Sequence, residues 1–269
     1  MTLQFCSFAS SSSGNCYMVK SENTTLLIDV GIAGKHVLSG LSEKGVSPEE
    51  VDGILLTHEH VDHVKSLRMI SRKAVNARVY ASKGTLSMVC DKVSDEVIRP
   101  IAAQIPFQIG DIQVKPFRIS HDAQEPMSYS FCKEDKQITI VTDTGCVTEE
   151  VFDQIKEADL LVLEANHEVN ILKMGDYPYS LKRRILGDEG HLSNEAAGKC
   201  LCDMLNYRKA QQKDQAPKVI LAHLSKENNT PGQAYLTIRN ILFEEDYYID
   251  KDLELDVALR EEVGKSVKI

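Results

Sequence analysis

Three imidazoles and a carboxylate able to act as ligands fall within the run His58-Glu59-His60-Val61-Asp62-His63, directly after the apolar stretch Val51-Asp52-Gly53-Ile54-Leu55-Leu56-Thr57. Divalent transition metals prefer imidazole and carboxylate donors, and a hydrolytic centre keeps a coordination position for water. In an extended loop, side chains two positions apart share a direction, so His58 and His60 point one way while Asp62 and His63 swing to a second position. Four such donors serve two metals better than one. The remaining ligands are expected at other strand exits: His121 for the first metal, His223 for the second, and Asp143 as a carboxylate able to bridge both.

The elements that would carry these donors follow from hydrophobic pattern and turn residues. Strands are expected over 3–9, 16–20, 25–29, 53–57, 78–81, 112–119, 128–132, 137–141, 160–164, 218–222 and 253–259. Helices are expected near 33–44, 63–74, 84–91, from Thr148, near 180–187, over 194–207 and over 231–243. Each donor then follows a short apolar strand. The run Val51 to His58 is echoed by Ala158 to His167, each delivering a histidine from a buried strand, which points to a two-halved sandwich. His36 falls mid-helix without polar neighbours and is set aside. No linker or low-complexity block divides the sequence, so residues 1–269 are read as a single domain.

A length of 269 residues with 42% hydrophobic and 26% charged residues fits an ordinary globular protein with a sizeable core. Seven cysteines, an odd number scattered without a C-x-x-C, read as reduced thiols. The start Met1 to Ser7 has no basic region, and no stretch approaches the ~18 apolar residues of a spanning helix. The expectation is therefore a cytoplasmic protein with no membrane association. A net charge of -9 argues against a broad surface that coats nucleic acid, although cations in a metal centre supply local positive charge.

Thr57-His58-Glu59-His60-Val61-Asp62-His63, with Asp29 before it and His121, Asp143 and His223 after, resembles the metallo-β-lactamase superfamily over nearly the whole chain. The resemblance implies an α/β fold, a four-layer αβ/βα sandwich of two mixed β-sheets flanked by helices. It implies His58, His60 and His121 at one metal, Asp62, His63 and His223 at the other, Asp143 between them, and Asp29 orienting the ligand loop from behind. Ser10 to Cys16, Glu164-Ala165-Asn166-His167 and Gly190-His191-Leu192-Ser193-Asn194 are similar to the YycJ (WalJ)-like bacterial branch, regarded as nucleic-acid phosphodiesterases of exonuclease type.

Two cations close together acidify a shared water and clamp the attacked and leaving oxygens of an in-line displacement, a centre suited to a phosphodiester. The leaving oxygen needs a proton, and His191, just before a helix, resembles the histidine that ribonuclease Z relatives use for it. His167 is a second candidate phosphate contact, and Glu164 a carboxylate that holds His191 or a ligand in its working tautomer. Asp62 is counted with His191, His167 and Glu164 among the catalytic residues as well as among the ligands. Ser11 to Asn15 offers donors to substrate or forms a tight turn. Lys182-Arg183-Arg184 offers phosphate contacts or a solvated helix face.

The expected activity is cleavage of nucleic acid, DNA favoured. A small cyclic phosphodiester, an acyl or thioester bond, and a scaffold without turnover remain as alternatives. Redox di-iron relatives carry a glutamate where His60 stands, which disfavours an oxygen-reducing role. The 21 residues between His121 and Asp143 leave no room for the protruding arm of ribonuclease Z, and the 79 between Asp143 and His223 none for the extra domain of the DNA cross-link repair and RNA-maturation nucleases. The substrate must be gripped by the core domain or by a second copy in a homodimer. Two divalent ions are expected, zinc or manganese, with iron also compatible.

Overall fold

The computed structural model describes residues 2–213 and 215–269. Its strands are β1 (Gln4–Ser11), β2 (Gly14–Lys20), β3 (Thr25–Ile28), β4 (Gly53–Leu55), β5 (Arg78–Ala81), β6 (Ile98–Pro100), β7 (Phe107–Ile109), β8 (Ile112–Arg118), β9 (Met127–Lys133), β10 (Lys136–Val141), β11 (Leu160–Glu164), β12 (Lys218–Ala222), β13 (Glu254–Val257) and β14 (Val267–Lys268). The α-helices are α1 (Gly34–Glu43), α2 (Val61–Val64), α3 (Leu67–Lys73), α4 (Lys83–Val89), α5 (Glu149–Ile155), α6 (Val169–Met174), α7 (Tyr179–Ile185), α8 (Asn194–Ala210) and α9 (Pro231–Glu244). Two seven-stranded sheets run in the orders β14-β1-β2-β3-β4-β5-β6 and β13-β12-β11-β10-β9-β8-β7. Both mix parallel and antiparallel pairs.

The chain divides into two compact units, each discontinuous in sequence. One comprises Met1–Arg118, Ala123–Lys136 and Leu259–Ile269; the other comprises Ile119–Asp122 and Gln137–Ala258. In the first, β1 and β2 form a hairpin whose register shifts between Ser7 and Ala9, and β3, β4, β5 and β6 continue as parallel neighbours. Helices α1 and α3 turn Val37, Leu41, Leu67 and Ile70 onto Phe8, Leu27, Ile54 and Val79, forming a fully apolar core. Gly40 lets α1 close on Phe8, since a Cβ there would lie 2.8 Å from the ring. Tyr129, completely buried, donates its hydroxyl to the Leu56 carbonyl at 2.5 Å and so steadies the strand that leads into His58.

In the second unit β10, β11, β12 and β13 are parallel, and β11 and β12 are apolar on both faces, as a helix-covered parallel strand must be. Thr148, Ser193 and Thr230 cap α5, α8 and α9 by accepting from Val151, Ala196 and Gln233 backbone N–H groups, and Pro231 begins α9. These signals explain why those helix starts were legible in the sequence.

Several boundaries differ from expectation. The single helix expected over 63–74 is two pieces, α2 and α3, because Ser66 donates its hydroxyl to the Val30 carbonyl and the chain turns there. The polar stretch Ser10–Gly14 is mostly strand, leaving a turn of Ser12 and Ser13. Strands β6, β7 and β14 and helix α6 were not foreseen; the strands are two or three residues long, too short for a periodic signal. All seven cysteines are free. Among the described residues no helix is long and apolar enough to cross a membrane.

Candidate metal-binding site

In the first unit the donors leave the ends of β3 and β4. Asp29 follows β3 with φ of 56°, a left-handed conformation that turns its carboxylate sideways towards the neighbouring strand exit. Its two oxygens accept from the Thr57 backbone N–H at 2.9 Å and the Thr57 hydroxyl at 2.9 Å, and Oδ2 also accepts from His63 Nδ1 at 2.8 Å. Thr57 Oγ1 lies 3.0 Å from His58 Nδ1. With the Thr57 hydroxyl donating to Asp29, its oxygen is left to accept from His58. Both imidazoles therefore carry their proton on Nδ1 and their lone pair on Nε2, the arrangement a metal-bound histidine needs.

His58 Nε2 and His60 Nδ1 lie 3.0 Å apart, and His63 Nε2 lies 3.5 Å from Asp62 Oδ2. A tetrahedral ion with bonds of about 2.0–2.1 Å to nitrogen holds its donors about 3.4 Å apart, so these spacings fit shared coordination. Gly31 makes the loop possible: a Cβ there would sit 1.6 Å from the Asp62 carbonyl oxygen. Asn15 does not face substrate, because its amide is engaged with Ser11 across the hairpin turn, donating to the carbonyl and accepting from the N–H, with Nδ2 3.3 Å from His63 Nε2.

The second unit assembles its own set at the exits of β10, β11 and β12. Asp143, Glu164, His191 and His223 each present one ligand-type atom within 4.8 Å of the others. Asp143 Oδ2 is 3.2 Å from His223 Nδ1, and Asp143 Oδ1 is 3.9 Å from both His121 Nε2 and His191 Nδ1. His121 Nδ1 lies 3.1 Å from the Gly190 carbonyl, an acceptor only, so the proton is on Nδ1 and the lone pair able to bind a metal is on Nε2. Asp143 (φ 58°) and His223 (φ 55°) share the left-handed backbone of Asp29. Such conformations cost about 1–3 kcal/mol each and concentrate at functional sites.

Glu164 holds this set together. Completely buried, it accepts from His191 Nδ1 at 2.8 Å through one oxygen and from the Thr144 and Leu192 backbone N–H groups through the other, at 2.9 and 3.3 Å. One carboxylate thus fixes the loop after Asp143 and the loop bearing His191. Burial alone would push the His191 imidazolium down, but the Glu164 charge and hydrogen bond, helped by Asp143, raise it to about 9. Its ring keeps a 17% exposed side chain, and Nε2–H is left to meet a ligand. His121 is held below its ordinary value by burial, which Asp143 opposes.

His167 contrasts with His191. It is 1% exposed, burial pushes it down to about 4, and neither ring nitrogen has a hydrogen-bond partner among the described residues. A neutral, covered imidazole has no surface for the phosphate contact expected of it.

The basic run divides in the same way. Lys182 donates to the Lys173 and Gly175 carbonyls at 2.9 and 2.6 Å, closing the end of α6. Arg184 forms a two-point pair with Asp122, its Nη2 at 3.0 Å. Of the three, only Arg183 has neither a hydrogen bond nor an ion pair among the described residues. Sequence reasoning missed Gly31, the Gly190 carbonyl and Asp122. Asp122 adjoins His121, but neither Gly31 nor a backbone oxygen announces itself by residue type.

The chain belongs to the beta-lactamase superfamily, whose domain model matches residues 24–211. Two seven-stranded mixed sheets flanked by helices, with imidazole and carboxylate donors at the strand exits, are that family's α/β sandwich. The chain is 35% identical to the exodeoxyribonuclease YycJ of Bacillus anthracis over 95% of each chain. It is 37% identical to the exodeoxyribonuclease WalJ of Streptococcus pneumoniae, over 92% of this chain and 91% of that one. Among solved structures it resembles the metallo-beta-lactamase fold protein YhfI of Bacillus subtilis, with a TM-score of 0.72 and 16% identity over 100% of this chain and 99% of that one.

Proposed function

We propose that this chain is a cytoplasmic, metal-dependent phosphodiesterase that removes nucleotides from nucleic acid as an exonuclease, with DNA as the favoured substrate. Two divalent ions are proposed, zinc or manganese, with His58, His60, Asp62, His63, His121, Asp143 and His223 as the ligand set. When bound, they supply Lewis acidity towards phosphoryl oxygens and an acidified water. Asp29, Thr57 and the Gly190 carbonyl keep His63, His58 and His121 in the tautomer that offers Nε2.

The observation that carries the reading is the Glu164–His191 hydrogen bond beside Asp143 and His223. Glu164 keeps His191 protonated on both nitrogens, so Nε2–H can pass a proton to the departing ester oxygen. An acyl or thioester hydrolase of this fold needs no such acid. The kinship with proteins named exodeoxyribonucleases, at 35% and 37% identity over nearly the whole chain, supports the same reading. Glu164 acts through His191 as a positioning residue, and His167 is proposed to shape the floor under the His191 loop, since Asn194 N–H donates to its carbonyl at 2.9 Å.

The test is a panel in which protein reconstituted with zinc or manganese meets 5′-phosphorylated and unphosphorylated DNA and RNA, a cyclic phosphodiester and a thioester. Progressive release of mononucleotides from DNA is expected. Cleavage of the thioester alone would sink the proposal.

A further inference from the structure

Between His167 and His191 the chain leaves the sheet as α6 and α7. Helix α7 is anchored tightly on the site side: the Ile185 carbonyl accepts from His191 N–H at 3.0 Å, and Arg184 pairs with Asp122, the neighbour of His121. Gly190 lets the two segments meet, since a Cβ there would lie 2.3 Å from the Arg184 and Ile185 carbonyl oxygens. The outer side of the same helix combines exposed apolar side chains with a cation. Positions i, i+4 and i+7 of a helix share one face, and here they are Tyr179, Arg183 and Leu186. Tyr179 is 76% exposed, Leu186 is 41% exposed, and Arg183 is the one member of its basic run not engaged within the protein among the described residues.

We propose that this stripe is a docking platform for a single-stranded stretch of the nucleic-acid substrate flanking the cleaved linkage, with Tyr179 stacking on a base and Arg183 meeting a backbone phosphate. The inference rests on the phosphodiesterase reading above and names how the polymer is gripped. Its physical basis is the pairing used by sequence-tolerant single-strand binders: an aromatic face for bases and a cation for phosphates. The Arg183 guanidinium, with no counter-charge among the described residues, makes phosphate the complementary occupant at this face. From Tyr179 to Ile185 the helix rises about 9 Å, and its C-terminal end, at the Ile185 carbonyl, meets the His191 backbone. Lys182 and Arg184 lock the helix in place, which leaves the sequence run Lys182-Arg183-Arg184 with one cation for substrate and two for architecture.

The experiment measures binding of the 269-residue protein, as purified, to a fluorescent phosphorothioate-linked single-stranded oligodeoxynucleotide that resists cleavage, by anisotropy across a salt series. Tyr179→Ala is expected to weaken binding about 5- to 150-fold, and Tyr179→Phe to retain it. Arg183→Gln should reduce the slope of log K against log salt by about 0.7. Phe243→Ala, at an exposed position of α9, serves as the control and should bind like the parent. Unchanged affinity and slope in Tyr179→Ala and Arg183→Gln would overturn the platform. So would a parent dimer that Tyr179→Ala converts to monomer at unchanged affinity, since the stripe would then be a contact between copies. The phosphodiesterase reading fails separately, if parental protein loaded with either metal leaves bis(4-nitrophenyl) phosphate and DNA intact.

Discussion

Replacing Glu164 by Gln removes one negative charge while keeping the side chain's size, and its main consequence falls on His191. In the parent, burial disfavours the imidazolium, and Glu164 with Asp143 reverses this to hold His191 at about 9. Without the Glu164 charge, burial is opposed by Asp143 alone, and the value should fall to the ordinary 6.5 or below. At about pH 7.5 this takes the protonated fraction from about 97% to about 9% or less, roughly a tenfold loss of the acid form. An NMR titration of the His191 ring in metal-free protein reads the change directly. In the metal-loaded enzyme the loss should be larger on a DNA linkage, whose alkoxide leaves poorly, than on an aryl phosphodiester.

The same group ties folding to pH. Because its folded value lies above the unfolded 6.5, His191 stabilises the native state fully below about pH 6.5 and ceases to as pH rises through about 9. At about 1.36 kcal/mol per pH decade the contribution is on the order of 3 kcal/mol. Melting temperature in metal-free protein should therefore decline across that window in the parent and stay flatter in Glu164→Gln. A parental His191 that titrates near 6.5, or one indifferent to Glu164→Gln, would refute the reasoning.

Three further outcomes are expected. Gly31→Ala puts a methyl group 1.6 Å from the Asp62 carbonyl, so backbone must move, costing about 2–4 kcal/mol in urea unfolding together with a loss of metal affinity by calorimetric titration. Asp29→Asn keeps a residue that tolerates φ of 56° but weakens the hold on His63 and Thr57, and metal affinity should drop about 10- to 100-fold in a chelator competition. Tyr129→Phe leaves the Leu56 carbonyl without its buried donor and should cost about 1–3 kcal/mol in thermal or urea unfolding.

The strands that carry donors were legible because each is a short apolar run closed by a polar residue: β11 and β12 match the ranges read from hydrophobicity alone, and the capped helices begin where Thr148, Ser193 and Thr230 say they must. The split of α2 from α3 was not legible, since it depends on Ser66 reaching the Val30 carbonyl, 36 positions away. Nor was the division of labour within Lys182-Arg183-Arg184, three cations alike in type that differ only in what lies opposite them.

The sequence by itself determined which chemistry this protein can do: imidazoles and carboxylates in His58 to His63, and at Asp143, Glu164, His191 and His223, have intrinsic affinities for metal ions and protons that no fold supplies. Tertiary structure alone decided which atoms are available for that chemistry. Asp29 on His63, the Gly190 carbonyl on His121 and Glu164 on His191 join residues 34, 69 and 27 positions apart, and each hydrogen bond selects a tautomer or holds a proton. Donor type is a property of the residue. Proton position is a property of its neighbours, and only folding brings those neighbours within 3 Å or so of the ring.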